Sequence, residues 1–171
     1  IDLFNAIKSQ LGELPIIAED LGLMTQGVID LREATGFPGM KILGFAFDSK
    51  EENDYLPHTY TKNCVVYTGT HDNDTLIGWF TKANEDDKQF ARDYLNSRSD
   101  DEIHWDAIRG AWSSVANMAI APIQDFLGLG SEARINTPGL ASGNWQWRLK
   151  DGVLTNELAE RIAKLTKVYS R

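Results

Sequence analysis

The chain holds a single cysteine, Cys64, among 171 residues. No disulfide can form within it, and a reducing compartment such as the cytoplasm is the plainer expectation. Cys64 opens the run Cys64-Val65-Val66-Tyr67, a context for a small buried thiol and not for a nucleophile. Histidine is almost as scarce: His58, His71 and His104 show no zinc-site spacing, so neither a metal nor a cofactor is expected. There is no Gly-x-Ser-x-Gly elbow and no phosphate-binding loop. Positive charge is short too. Lys plus Arg number 17 against 25 Asp plus Glu, a net charge of −8 with no basic block to offset it. That sign repels phosphate backbones and argues against a nucleic-acid partner. No apolar run approaches the length of a membrane span, so no membrane partner is expected. The opening residues, Ile1-Asp2-Leu3-Phe4-Asn5, lack an initiator Met and the basic-then-apolar pattern of a signal peptide. They start inside a helical pattern, as though cut from a longer polypeptide.

What is present is enough for a core. The hydrophobic content of 42% fits one segment, 1–171, with no separate domain. Residues 14–18, 41–47 and 64–68 form short apolar runs bounded by turn residues, and they read as strands buried on both faces. Helical periodicity fills the intervals. Residues 2–11 carry Leu3, Phe4, Ile7 and Leu11 on one face. Thr25 caps a second helix, with Val28, Leu31 and Ala34 inward and Gly36 and Pro38 at its end. Further helices are expected over 74–81, from Asn84 or Glu85, from Asp100 or Asp101 (the longest, reaching Val115 and Met118), and from Asn156. Residues 119–121 read as a fourth, very short strand, and 128–140 as an irregular loop. The alternation is that of an α/β fold. Pattern alone leaves open half of a (β/α)8 barrel or a small open sheet; the abrupt start favours the half barrel.

Chemistry concentrates at the ends of two strand-like runs. Glu19-Asp20 follows residues 14–18, and Gly69-Thr70-His71-Asp72-Asn73-Asp74-Thr75 follows the third run. Carboxylates at the ends of neighbouring parallel strands converge on one mouth, where they can divide acid and base work. The plainer reading of each is a charged turn, with Asp72 or Asp74 accepting from free N–H groups of the next helix. An EF-hand reading of Asp72-Asn73-Asp74 fails, because Ile77 stands where Gly is needed and Ala83 where the bidentate Glu is needed. Phe45, Phe47, Trp145 and Trp147 place flat rings nearby, which suits sugar recognition as well as core packing.

Six ordered motifs then resemble one family. They are Pro15-Ile16-Ile17-Ala18-Glu19-Asp20-Leu21-Gly22, Phe37-Pro38-Gly39-Met40-Lys41, Phe45-Ala46-Phe47-Asp48, Tyr55-Leu56-Pro57-His58, the Gly69 to Thr75 motif, and Gly143-Asn144-Trp145-Gln146-Trp147-Arg148. Their order is similar to that in the amylomaltases, or disproportionating enzymes, the 4-α-glucanotransferases of glycoside hydrolase family 77. The resemblance implies the C-terminal half of a TIM (β/α)8 barrel, strands five to eight. It implies Glu19 as general acid/base, Asp72 as the carboxylate that stabilises the transition state, and His71 on the hydroxyls of the sugar at the cleaved bond. Phe45 and Asn136, the latter in Arg134-Ile135-Asn136-Thr137-Pro138-Gly139, would line the glucan site. Substrates would be α-1,4-glucans and maltooligosaccharides, with glucose as acceptor or product, in the cytoplasm or, in a plant, a plastid. The family's nucleophile lies in an Arg-x-Asp motif at the end of strand four, and no such motif is expected in this sequence. It is expected upstream of Ile1, in a missing N-terminal half of the same enzyme, so the segment alone should be inactive. An α-amylase-like hydrolase and a non-catalytic glucan-binding fragment are the alternatives.

Overall fold

Three short runs pair in parallel, and the loop that carries His71 and Asp72 leaves the carboxyl end of the central one. The computed structural model describes residues 1–22 and 24–171. Helix α1 is Asp2–Leu11 and α2 is Gln26–Thr35; strand β1 is Gly39–Ile42 and β2 is Cys64–Tyr67. Helices α3 (Leu76–Lys82), α4 (Glu85–Leu95) and α5 (Ile103–Ser113) follow, then β3 (Met118–Ile120), α6 (Ile123–Phe126) and α7 (Asn156–Val168). The sheet order is β1-β2-β3, all parallel, with Gly39 opposite Cys64 and Val66 opposite Ala119. Central β2 is apolar and β-branched because both its faces are covered, and Cys64, Val65 and Val66 are all buried. The Cys64 thiol donates to Thr61 O.

The crossover from β2 to β3 is helical. Along α5, Ile103, Trp105, Ala107, Ile108, Ala111 and Trp112 are buried against the sheet and neighbouring helices. Its outer side takes α7: the Arg161 guanidinium lies 3.9 Å from the Trp105 ring centroid and pairs with Glu102, and Trp112 Nε1 donates to Thr166 Oγ1 at 3.3 Å. Arg171 donates to the carbonyls of Trp112, Ser114 and Ala116, satisfying acceptors left free in the last turn of α5 and just beyond it.

Several expectations need correction. The run 14–18 forms no strand. Pro15 has no N–H to give, and the segment makes one bond to the sheet side, Ala18 N to Pro38 O at 2.9 Å. The second run leaves the sheet at Ile42 and curls into a 3-10 turn, Leu43–Phe45, whose Gly44 N bonds Thr68 O at 3.0 Å. The expected inward face of α2 is not inward, and the apolar face of α1 is only partly covered, Phe4 and Ile7 being half-buried. Leu3, Leu11, Val28 and Leu31 are exposed, as is Ala34, and neither α1 nor α2 has a buried residue. Helix α5 stops at Ser113, short of Val115 and Met118, and α7 is longer. Thr155, not Asn156, caps α7, accepting from Leu158 N.

His104 on α5 is a buried polar residue whose Nδ1 has no partner among the described residues. Burial lowers its pKa below the usual 6.5; Glu102 and Asp106 pull the other way, Arg161 adds to the lowering, and burial wins. The unfolded chain therefore takes up a proton near pH 6.5 that the folded chain resists. Stability should fall as pH drops through that value and level off once the folded-state pKa is passed. His104→Asn is expected to lose less of its thermal midpoint than the parent between about pH 7.5 and about pH 5.5; equal losses would remove His104 from the account.

Candidate functional site

Glu19 and Asp20 divide two roles between adjacent positions. Asp20 points inward: its Oδ1 accepts from Met40 N at 2.6 Å and its Oδ2 from Arg32 Nη1 at 2.7 Å, tying the segment before β1 to both β1 and α2. Its carboxylate occupies the space where a side chain on Gly39 would start. Gly39 is thus required by close approach, not by an unusual backbone angle. Glu19, held by this anchored neighbour, remains exposed.

The second loop is fastened more heavily. At its two ends, Thr68 Oγ1 donates to Asp125 Oδ2 at 2.5 Å and Leu76 N donates to Asp125 Oδ1 at 2.9 Å. Asp125 is 2% exposed, and burial pushes its carboxyl up from the ordinary value against these hydrogen bonds. Inside the loop, Asn73 Oδ1 accepts from both Thr70 N and Thr70 Oγ1 at 2.8 Å. Thr75 caps α3 by accepting from Gly78 N. Asp74 bonds the N–H of Thr75, and the helix N–H at Leu76 belongs to Asp125, so neither Asp72 nor Asp74 serves α3 directly. Burial works against ionisation of Asp74, but donors Lys82 Nζ and Ser131 Oγ, both at 2.7 Å, hold its carboxyl below the ordinary value.

His71 and Asp72 face the mouth, each about half exposed, with His71 Nε2 3.3 Å from Asp72 Oδ1. The segment 134–136 straps them from the other side. Arg134 Nη2 donates to Asp72 O at 2.6 Å, Asn136 N to His71 O at 3.1 Å, and Asn136 Nδ2 to Asp72 Oδ1 at 2.5 Å. Glu19, Phe45, His71 and Asp72 all line one cavity of about 720 Å³, which opens at the carboxyl ends of the strands and is floored by Tyr67 and Ile120. Asn136 stands one layer back, on the Asp72 carboxylate. A second cavity, about 680 Å³, shares Phe45, Asp72 and Asn73 and runs on toward Trp79 and Pro138.

Among the described residues no cluster of three or more His, Cys, Asp or Glu is placed to share a metal ion. Against the expectation of none, one Arg-x-Asp tripeptide does occur, Arg98-Ser99-Asp100. It lies between α4 and α5, and Asp100 is bonded to Arg92 Nε and Nη2 at 2.8 and 2.9 Å, away from the residues that line the cavity. Asp125 and Arg134 carried no functional signal in sequence, since their partners lie 49 to 62 positions away.

A profile described as 4-alpha-glucanotransferase, glycoside hydrolase family 77, matches residues 1–155. The chain belongs to the glycoside hydrolase family 77 4-α-glucanotransferases. It is 53% identical over 170 residues to the 4-alpha-glucanotransferase of Clostridium butyricum, covering 99% of this chain and 35% of that one. It is 45% identical over 172 residues to the chloroplastic/amyloplastic 4-alpha-glucanotransferase of Arabidopsis thaliana, covering 99% and 30%. Among solved structures, amylomaltase from Streptococcus agalactiae in complex with acarbose superposes with a TM-score of 0.94 at 37% identity, covering 99% of this chain and 34% of that one. The chain thus spans about a third of the length of these family 77 relatives.

The Asp20–Gly39 contact is open to a direct test. Gly39→Ala should dislodge Asp20 from Met40 N and Arg32 and cost about 2–3 kcal/mol of stability. In an Asp20→Ala background, calorimetry should find that the same change costs little, because the obstructing carboxylate is gone. Additive losses would place the strain elsewhere.

Proposed function

We propose that this chain is the part of a 4-α-glucanotransferase that supplies its acid/base and one stabilising carboxylate. One observation carries the reading: Glu19 and Asp72 share a single cavity at the carboxyl ends of parallel strands, with His71 and Phe45 beside them. A relative in complex with acarbose supports a sugar ligand for the same fold. The substrates are α-1,4-glucans and maltooligosaccharides, with glucose as acceptor or product.

In this reading Glu19 protonates the leaving glycosidic oxygen while a nucleophilic Asp outside this chain attacks the anomeric carbon. The acceptor's hydroxyl then gives its proton to Glu19 and displaces the enzyme, with retention. Asp72 opposes the positive charge that develops on the sugar ring. Its orientation is the task of Asn136 and Arg134, and His71 reaches the hydroxyls of the same sugar. The acid/base and the nucleophile must stand about 5 Å apart in a retaining enzyme, so the 171-residue segment alone does not turn over.

The architecture of the complete enzyme is a (β/α)8 barrel, this segment giving strands five to eight of one catalytic domain. The exposed apolar faces of α1 and α2 and the free edges of the sheet pack against the remainder of that enzyme. The working compartment is the cytoplasm, or the plastid in a plant.

Maltotriose tests the activity. The complete enzyme should release glucose together with a ladder of longer maltooligosaccharides; reducing ends without lengthening would identify a hydrolase instead. Glu19→Gln should lower transfer to less than about a hundredth of the parent. Activity above that level would remove Glu19 from the acid/base role, and unchanged glucan binding without turnover in the parent would point to a binding module.

A further inference from the structure

Trp145 holds a backbone conformation that large residues avoid. Its φ is +64°, in the left-handed region where glycine is at home and a bulky aromatic is an outlier. Such strain persists where the surroundings insist on it, and it gathers at functional sites. Here they do insist. Trp145 N donates to Ile135 O at 2.7 Å, one residue from the Asn136 that holds Asp72. Asn144 fastens the preceding loop by accepting from Thr137 N and donating to the Thr137 and Leu140 carbonyls.

Core packing does not explain the side chain, since Trp145 is 56% exposed. What the conformation achieves is placement: the indole lies against the His71 imidazole, ring centroids 5.0 Å apart and planes 37° from parallel. A half-exposed indole beside a hydrogen-bonding imidazole matches the two surfaces of a pyranose, an apolar C–H face and a rim of hydroxyls.

We infer that Trp145 is a glucan-binding residue, its indole the stacking platform for a glucose unit of the chain whose hydroxyls His71 engages. The inference rests on the glucan-transfer reading and adds a contact to it. Steadying of the imidazole by the same ring is a consequence of the geometry.

The test is made in the complete enzyme with Trp145→Gly and Trp145→Phe. Glycine relieves the backbone strain and removes the platform. The expected result is an unfolding midpoint equal to or above the parent's, with KM for maltotriose raised about fivefold or more. Phenylalanine keeps a ring and should leave KM within about twofold. Maltoheptaose added to a Glu19→Gln background should change the tryptophan emission, and that change should vanish when Trp145→Phe is added. The inference is overturned if Trp145→Gly leaves KM at the parent value. It is equally overturned if the emission change survives in Trp145→Phe, or if the glycine variant lowers the midpoint while Trp145→Phe shows the same emission response as the parent. Should Glu19→Gln itself retain full transfer activity, the glucan-transfer reading fails first, and the two failures are told apart.

Discussion

The Asp125 carboxylate holds the site together. It takes one hydrogen bond from Thr68, where β2 ends, and one from Leu76, where α3 begins, so a single buried group closes the ring of residues that presents His71 and Asp72. Both bonds are made in a place from which water is excluded, where leaving either donor unmade would be costly. Burial raises the carboxyl's pKa, and these two donors work against that rise. The loop can be rich in polar residues and still be defined in shape, because its ends are fixed.

The same logic recurs in each acidic pair. Asp20 is saturated by Met40 N and Arg32, and Asp74 by Lys82, Ser131 and Thr75 N. Their neighbours Glu19 and Asp72 are left facing the mouth. One member of each pair positions and the other is presented, so the presented group needs no flexible side chain of its own for support. Asn136 and Arg134 add a strap from a distant part of the chain, converting two local turns into one cavity wall.

Much of this was legible in sequence where the signal is local. The runs at 64–67 and 118–120 pair as parallel strands, Gly36 ends α2 in the left-handed conformation, and Asn84 caps α4. The signal failed where partners are remote or missing. Residues 14–18 have a strand's composition, but Pro15 and a single bond to Pro38 O leave them unpaired. The apolar faces of α1 and α2 follow helical periodicity well, yet periodicity says which face is apolar and not what covers it. Asp125 reads as an ordinary acidic residue until the fold carries it to Thr68. Trp145 announces an aromatic ring in sequence, but its strained φ and its seat on His71 appear only in three dimensions.

In the proposed reaction two carboxylates, Glu19 on the segment before β1 and Asp72 on the loop after β2, act on one glycosidic bond. The most direct measurement is a crystal structure of the complete enzyme carrying Glu19→Gln with a maltooligosaccharide bound across the mouth. The residue 19 amide should stand within hydrogen-bonding distance of a glycosidic oxygen, with Asp72 and His71 on the sugar next to that bond. A glucan seated elsewhere, or one whose glycosidic oxygen lies out of reach of residue 19, would contradict it.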